Sequence, residues 1–550
     1  MACAFLHRLV ASVPTISTTI AGPAATTACN FGRGKNVRMF ASAAGTVASA
    51  VTAQEALSKY EELAKNLREI DALEGISGLL GWDEQTMLPS GSAPARAFHK
   101  AALAGVLHEK KTNPSLDVLL PVLASPNVLE LLPSPEARAN VRLAHKEWEL
   151  QKKKSKEMTA REAALEGRGY AAWVSAREKD EFHHGFLPVL QDIVALKKEV
   201  ATATRPGWDT YDANLDLFEP GMTVRRLTEI FGALKTDLVP LLQQIMASSR
   251  YQTQDKDRPP AFQGGPQWDV NIQAQLSREV SEALGFDYTL GRIDTSVHPF
   301  TGGSHPTDVR ITTRYSQEKW LEGISGTVHE VGHGLYEQGR NPEQRDLPAS
   351  RALSMGGLSP EDFYRHVNRV QPDLIRVEAD EVTYPLHIIL RFELEQALLD
   401  GSLAPADLPH AWNAKMKSLL NVEVVKSGEG REGGREGGNA KGCLQDVHWA
   451  VGALGYFPSY TLGAMMAAQL WVSAERAIPS LSAEIGRGNF QKLREWLRRE
   501  VHVRGSVFTS MDELLRTVTG EPLNPEYFVM YLKRKYGELY SMEEGGKEEL

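Results

Sequence analysis

Residues 53–82 read AQEALSKYEELAKNLREIDALEGISGLLGW, and apolar residues recur there three and four positions apart between charged ones. This spacing is the period of an amphipathic α-helix. Residues 139–176 and 186–201 repeat the pattern. No internal repeat and no long linker interrupts the chain beyond residue 54. The sequence therefore predicts a mainly α protein, with one large multi-helix domain over residues 55–550.

One segment departs from the helical pattern. Residues 293–316 read IDTSVHPFTGGSHPTDVRITTRYS, with glycine and proline turn signals around a β-branched alternation. Val309 and Ile311 alternate there with Arg310 and Thr312. Such alternation is typical of a half-buried strand. We expect a small β-sheet beside the helices.

Two segments have unusual compositions. Residues 1–54 contain four basic residues and no acidic one, and they are rich in Ala, Ser and Thr, which is typical of a mitochondrial or plastid transit peptide. Its removal would lower the formal net charge from −9 to −13 and leave Cys443 as the only cysteine, so no intrachain disulfide could form. Residues 427–442, SGEGREGGREGGNAKG, have the composition of a disordered surface loop.

The overall composition narrows the class of protein. The chain has 550 residues, of which 42% are hydrophobic and 24% charged, as in globular proteins. A formal net charge of −9 offers no global attraction for nucleic acid. No window holds the roughly 18 unbroken apolar residues that a membrane helix needs. We therefore expect a soluble protein with neither a nucleic-acid partner nor a membrane span.

The strongest chemical signal is HEVGH, within residues 322–339. His329 and His333 are four residues apart, so on a helix they share one face and can bind the same metal ion. Glu330 projects beside them toward a metal-bound water, where it could act as the catalytic base. The alternative is a pair of histidines without a metal, but the apolar neighbours indicate a buried surface, where unpaired imidazoles are costly.

Further motifs accompany this helix in a fixed order: GWDEQTMLPSG at 81–91, HPF at 298–300, DVRIT at 308–312, IRVEAD at 375–380 and GCLQDVHW at 442–449. Through them the chain resembles the thermostable (Taq-type) metallocarboxypeptidase family from about residue 60 to about residue 536. The resemblance implies a helical fold with a long active-site groove and a homodimer. It also implies one divalent ion, Zn²⁺ with Co²⁺ accepted, and release of single C-terminal residues from peptides with broad specificity.

The same motifs suggest which residues meet the substrate. Besides the helix that carries HEVGH, we expect substrate contacts from His298, Arg310, Arg376, His448 and Tyr456, with Tyr460 as an alternative to Tyr456. We expect Asp308 or Asp446 to orient a histidine that binds the metal or the substrate. A guanidinium binds a carboxylate in two-point geometry, so Arg310 and Arg376 are the candidates for a peptide's free C-terminus. For either arginine an ordinary salt bridge is the alternative.

The chain departs from the family pattern after the metal helix. In the family, a helix with the motif HES(Q/G)S supplies a glutamate as third zinc ligand, after a segment like residues 347–356. Here residues 359–370 follow almost at once and resemble a later part of the family. A deletion of a few tens of residues is the simplest explanation. Glu361, Glu378 and Asp380 are the candidate replacements, although Glu361 is better explained as a charge at a helix N-terminus.

Three functions therefore remain open from the sequence. The first is an organellar zinc carboxypeptidase. The second is a catalytically impaired isoform that lacks the third zinc ligand. The third is an oligopeptidase or dipeptidyl-carboxypeptidase, because related HExxH grooves can be arranged for such cleavage. The identity of the released product separates the first from the third.

Overall fold

The computed structural model describes residues 51–254, 268–318, 320–340, 368–424, 438–504 and 507–542. Nineteen α-helices and one three-stranded sheet make up these parts, so the predicted mainly α fold with a small sheet is confirmed. None of the described helices has the length and apolarity to cross a membrane. The proposed transit segment lies outside the described residues except for positions 51–54, and Glu361 lies outside them as well.

The helices of the N-terminal half are α1 (Ala53–Thr86), α2 (Ala93–Lys111), α3 (Pro114–Leu123), α4 (Pro126–Leu129), α5 (Pro135–Lys153), α6 (Lys156–Lys179), α7 (Leu187–Thr204), α8 (Thr210–Leu215), α9 (Val224–Ala247), α10 (Ser249–Thr253) and α11 (Val270–Leu284). Those that follow are α12 (Trp320–Gly339), α13 (Tyr384–Asp400), α14 (Leu408–Leu420), α15 (Pro458–Ala477), α16 (Leu481–Gly486), α17 (Gln491–Leu497), α18 (Met511–Thr519) and α19 (Glu526–Tyr540). Short 3-10 turns occur at Ser90–Ser92, Arg376–Glu378 and Pro405–Asp407, and π-helical turns at Phe182–Phe186 and Arg498–His502.

The helices bury two hydrophobic cores. A small core lies among α1, α3, α4 and α5 and includes Leu63, Leu120 and Leu123. A much larger core is formed by side chains from the helices between α6 and α19 and from the central strand of the sheet, β3. Cys443, the one cysteine among the described residues, is buried in the larger core and forms no disulfide.

The sheet lies between α1 and α12. Its strands are β1 (Gly291–Thr295), β2 (Thr301–His305) and β3 (Asp308–Thr313), in the order β1-β3-β2. β1 pairs with β3 in parallel and β2 pairs with β3 antiparallel. Val309 and Ile311 of β3 are buried, as their alternation predicted, but Thr312 on the other face is buried as well. Gly334 of α12 makes room for the ring of Phe286, because a Cβ there would lie 2.6 Å from Cε2 of that ring.

On the opposite side, α1 packs against β2 through glycines. A Cβ added at Gly75 would lie 2.3 Å from the carbonyl oxygen of Ser304, and one at Gly78 would lie 2.7 Å from that of Gly303. Both distances are shorter than any ordinary contact, so only glycine allows this approach. This close approach of the two backbones fixes the position of β2, whose Thr301 contacts Glu330 of α12.

The Gly-rich segment ends in ordered structure. Gly438 and Asn439 are buried, and the carboxylate of Asp180 accepts the N–H groups of Gly438 at 2.6 Å and Ala440 at 2.7 Å. The predicted surface loop therefore does not extend to residue 442, because residues 438–442 belong to the packed structure. Residues 427–437 of that prediction lie outside the described part of the chain.

Candidate active site

The two histidines of HEVGH face each other on α12. Their Nε2 atoms are 3.3 Å apart, and the ring centroids are 5.0 Å apart with the planes at 74°. Two imidazole nitrogens that bind one tetrahedral zinc ion, each at about 2.0–2.1 Å, are separated by about 3.3 Å. His329 and His333 therefore hold their donor atoms at the spacing of two ligands of a single ion.

Glu330 lies on the buried side of the same helix. It is 5% exposed, and one of its oxygens, Oε2, accepts the hydroxyl of Thr301 at 2.6 Å. The other, Oε1, lies 3.9 Å from Nε2 of His329. Burial raises the pKa of Glu330 to about 7, and the Thr301 hydrogen bond opposes this only in part. A carboxyl of this pKa is suited to exchange a proton near neutral pH.

The described residues supply no third metal ligand. No group of three or more His, Cys, Asp or Glu side chains that could hold an ion occurs in the ranges given above. Asp380, a predicted replacement, instead accepts the N–H groups of Gln371, Val382 and Thr383 at 2.9, 2.9 and 3.0 Å, so its oxygens cap the local backbone. Glu378 is exposed. The histidine pair thus fits two positions of a metal site, and neither replacement completes it.

Arg310 of the DVRIT motif contacts Trp82 of the GWDEQTMLPSG motif. Arg310 donates through Nε to Asp308 at 2.9 Å, and its guanidinium carbon lies 4.7 Å from the ring centre of Trp82. Arg292, the register partner of Arg310 on β1, lies 5.1 Å from the same ring. Burial would raise the pKa of Asp308, but hydrogen bonds from Arg310 and Ser304 outweigh it and lower this pKa. Asp308 therefore orients Arg310, not a histidine.

His298 lies on the connection between β1 and β2. The residue is exposed, and its carbonyl oxygen accepts the hydroxyl of Ser296 at 2.5 Å. The following Pro299 lies 3.1 Å from the position of a Cβ at Gly326 of α12. The HPF motif thus packs on the metal helix through its proline, with His298 at the surface.

Arg376 and Asp446 form the centre of a second cluster. Arg376 is 5% exposed and donates through Nε and Nη2 to Oδ1 of Asp446, at 3.1 and 2.8 Å. Its Nη1 donates to the hydroxyl of Tyr384 at 2.7 Å, and its guanidinium carbon lies 4.8 Å from the ring centre of Tyr460. Burial opposes the charge of Arg376, but Tyr384 and Asp446 outweigh it and raise this pKa. The arginine stays charged at any physiological pH.

His448 joins this cluster from the same loop as Asp446. Its Nε2 lies 3.2 Å from the hydroxyl of Tyr460, and its ring centre lies 4.4 Å from Phe457 and 5.3 Å from Tyr456. Burial lowers the pKa of His448 to about 4, against the opposing effect of Asp446. Its Nδ1 is buried and finds no hydrogen-bond partner within the described ranges. At neutral pH this imidazole is therefore uncharged.

The structure brings together five predicted residues, Arg376, Asp446, His448, Tyr456 and Tyr460, and it adds others that the sequence did not single out. Thr301 contacts Glu330, and its position directly after HPF was the only available signal. Arg391 and Glu395 of α13 are fully buried and contact the loop that carries His448. The signal was an arginine and a glutamate among the apolar residues of the helix YPLHIILRFELEQALLD, since charged side chains are rarely buried unless they are paired.

Comparison with known proteins identifies relatives over most of the chain. The family model "Carboxypeptidase Taq (M32) metallopeptidase" matches residues 62–358 and 356–536. Thermostable carboxypeptidase 1 of Thermus thermophilus is 37% identical over 527 residues, with 88% of this chain and 99% of the relative covered. Carboxypeptidase 1 of Bacillus subtilis is 33% identical, with 86% and 97% covered.

Solved structures agree with these sequence relatives. Trypanosoma cruzi metallocarboxypeptidase 1 superimposes with a TM-score of 0.78 at 32% identity, and 87% of this chain and 99% of that one are covered. The M32 carboxypeptidase of Deinococcus radiodurans gives a TM-score of 0.78 at 31% identity, with 88% and 100% covered. The helical fold is therefore that of these enzymes.

The alignments also contain a gap on the side of this chain. The Thermus alignment runs over 527 residues, but 88% of this 550-residue chain is only about 484 residues, so about 43 residues of the relative have no counterpart here. The two stretches that match the family model meet at residues 356–358, where the sequence predicts a deletion. Despite this internal gap, the matches cover most of the chain, and the chain belongs to the carboxypeptidase Taq (M32) metallopeptidase family.

Proposed function

We propose that the protein releases single amino acids from the C-termini of peptides with broad specificity, in a reaction that depends on zinc, with cobalt as a substitute. The family establishes a carboxypeptidase that uses a metal. The observation that carries the choice of zinc is the 3.3 Å separation of the Nε2 atoms of His329 and His333, which matches two ligands of a tetrahedral ion.

The chemistry assigns a distinct task to each side chain of α12. An ion held by His329 and His333 would polarise the scissile carbonyl and acidify a water molecule. Glu330 takes the proton of the attacking water and passes it to the leaving amine. Thr301 occupies one of its oxygens, Oε2, and so leaves Oε1 on the side of His329 for this transfer.

Recognition of the free C-terminus falls to Arg376 in preference to Arg310. Three of the five N–H donors of Arg376 serve Asp446 and Tyr384, which leaves two for a substrate carboxylate. Arg310 gives only its Nε–H to Asp308, but its guanidinium lies over Trp82, whereas that of Arg376 lies over Tyr460, which contacts His448.

The remaining substrate contacts come from the loop of the second cluster and from the surface. We assign His448 together with Tyr456 or Tyr460 to donation toward the developing oxyanion, since these three side chains are adjacent. We retain His298 as a further contact, for which its exposed position on the HPF motif is the support.

A second candidate function is that of a catalytically impaired isoform. Two observations favour it: the missing stretch of about 43 residues relative to the Thermus enzyme, and the absence of a third ligand among the described residues. Two imidazoles without a carboxylate form a weaker site, because ligand set and supporting shell govern metal affinity.

One experiment separates the two candidates. The chain without residues 1–54 is compared with a version in which the missing segment is restored, for zinc content by elemental analysis and for release of C-terminal residues. We expect far less than one zinc per chain and little activity before restoration, with both recovered after it. Stoichiometric zinc and full activity in the shorter chain would exclude the impaired form, and release of dipeptides would favour a dipeptidyl-carboxypeptidase.

We propose further that the protein is a homodimer in a mitochondrion or a plastid. The composition of residues 1–54 supports delivery to a mitochondrion or a plastid, and the family resemblance supports a homodimer. Fusion of residues 1–54 to a fluorescent reporter tests the first, since diffuse cytosolic fluorescence would contradict it. Light scattering after size-exclusion chromatography tests the second.

A further inference from the structure

Helix α13 carries two buried ionisable side chains, one helical turn apart. Arg391 and Glu395 are both 0% exposed. A buried charge is strongly unfavourable unless it is paired and hydrogen-bonded. Both side chains have partners on the loop of residues 442–457, which also carries His448 and Tyr456.

Arg391 fixes the orientation of Asp446. Its Nε and Nη2 donate to Oδ2 of Asp446 at 2.8 and 2.5 Å, and its Nη1 donates to the carbonyl of His387 in the preceding turn of α13. The other oxygen of Asp446, Oδ1, accepts the Nε and Nη2 hydrogen bonds of Arg376. The carboxylate therefore bridges two guanidinium groups and cannot rotate without breaking both contacts. Arg391 thus sets the plane of Arg376 through Asp446.

Glu395 fixes the same loop at two other points. Its Oε1 accepts the indole N–H of Trp449 at 2.8 Å, and its Oε2 accepts the backbone N–H of Gly455 at 3.1 Å. Trp449 directly follows His448, and Gly455 directly precedes Tyr456. These two contacts each hold the neighbour of a residue that we assign to the substrate, while Oε2 also accepts the hydroxyl of Tyr211 of α8 at 2.9 Å.

We infer that Arg391 and Glu395 are positioning residues, through which α13 holds Arg376 and His448 in the arrangement that receives the carboxyl end of a peptide. The inference rests on the proposed function, because it takes Arg376 and His448 as the groups that meet the substrate. The alternative is a network that only stabilises the core. The two differ in what a substitution does to a protein that is still folded.

Substitutions at Arg391 and Glu395 separate the effect of hydrogen-bond geometry from the effect of charge. Glu395→Gln keeps the shape, but its amide NH₂ cannot accept, so the N–H of either Trp449 or Gly455 loses its acceptor. Arg391→Lys keeps the charge and loses the planar two-point contact, and Arg391→Met loses both. Glu393→Gln is the matched control on the same helix, because Glu393 pairs instead with Lys235 at 2.7 Å and with Lys415.

The readout is binding to metal-free full-length chain, which does not depend on turnover. Calorimetry compares a peptide that has a free C-terminus with the same peptide as its C-terminal amide, well below the melting midpoint of each variant. We expect Glu395→Gln and Arg391→Met to weaken binding of the free peptide at least about tenfold, with Arg391→Lys in between. Binding of the amide, and both affinities of Glu393→Gln, should stay unchanged.

Two other outcomes would each refute a different statement. If the variants melt earlier but keep the free-to-amide affinity ratio of the unmutated chain, the network is only structural and the positioning inference is wrong. If the unmutated chain itself shows no preference for the free peptide, the assignment of Arg376 to the substrate carboxylate is wrong, and the positioning role falls with it.

Discussion

The packing of α1 on β2 predicts opposite effects for two glycines of the same helix. A Cβ at Gly75 would lie 2.3 Å from the backbone carbonyl oxygen of Ser304, which cannot turn aside as a flexible side chain would. Overpacking of this kind costs about 1–3 kcal/mol, and the rigid partner argues for the upper end. Because alanine favours a helix interior over glycine by about 1 kcal/mol, Gly75→Ala should lower the free energy of unfolding by about 2 kcal/mol.

The control is Gly81→Ala, six residues further along α1. Nothing lies within 4 Å of a Cβ at that position, so the gain in helix propensity remains and the substitution should stabilise the protein by about 0.5–1 kcal/mol. Urea unfolding followed by circular dichroism gives both values. If Gly75→Ala proves as stable as Gly81→Ala, α1 does not approach β2 as closely as described. Contacts other than those with α1 must then hold Thr301 of β2 against Glu330.

Three further predictions address the site and its surroundings. In the chain with the missing segment restored, Glu330→Gln should abolish turnover while elemental analysis still finds zinc, because Glu330 acts as base and not as ligand; near-normal turnover would contradict that role. Arg310→Gln should lower the free energy of unfolding by about 1–2 kcal/mol through the lost contact with Trp82, with the preference for free over amidated peptides unchanged in a binding assay. Burial raises the pKa of Glu219 to about 7, so its carboxyl is protonated in the folded protein and ionised in the unfolded chain between about pH 4.5 and 7. Stability is therefore lost as the pH rises from about 4.5 to about 7, and the advantage of Glu219→Gln in urea unfolding should grow by about 2–3 kcal/mol from pH 5 to pH 8. A constant difference would refute a carboxyl whose pKa is raised by burial.

Local periodicity was enough to predict α12 and the sheet. Four-residue spacing on a helix fixes which side chains share a face, so the pairing of His329 with His333 follows from the sequence. The alternation of Val309 and Ile311 likewise predicts one buried face of β3. The fold class and the family were therefore predictable from short stretches of the chain.

Long-range contacts were not predictable in this way. Whether an arginine of a motif meets the substrate or a neighbour depends on residues far away in sequence, such as Trp82 for Arg310. The same holds for Asp446, whose two oxygens are taken by arginines 70 and 55 residues earlier. No spacing within one motif encodes such a partner. The sequence could therefore name the candidates for carboxylate binding, but it could not rank Arg376 above Arg310.

The shortening of the chain affects the ligand set more than the scaffold of the metal helix. α12 is fixed on both sides of its histidines by contacts that the described residues retain. Thr327 bonds to Thr313 of β3 and to Ser277 of α11, each at 3.1 Å, and Gln338 exchanges two hydrogen bonds with the backbone of Asp287. None of these partners belongs to the missing stretch. The geometry that presets two nitrogens for one ion therefore does not require the third ligand, and metal affinity can be lost while the helix keeps its place. A restored carboxylate would then meet a site already formed, so recovery of zinc binding should need no rearrangement of α12.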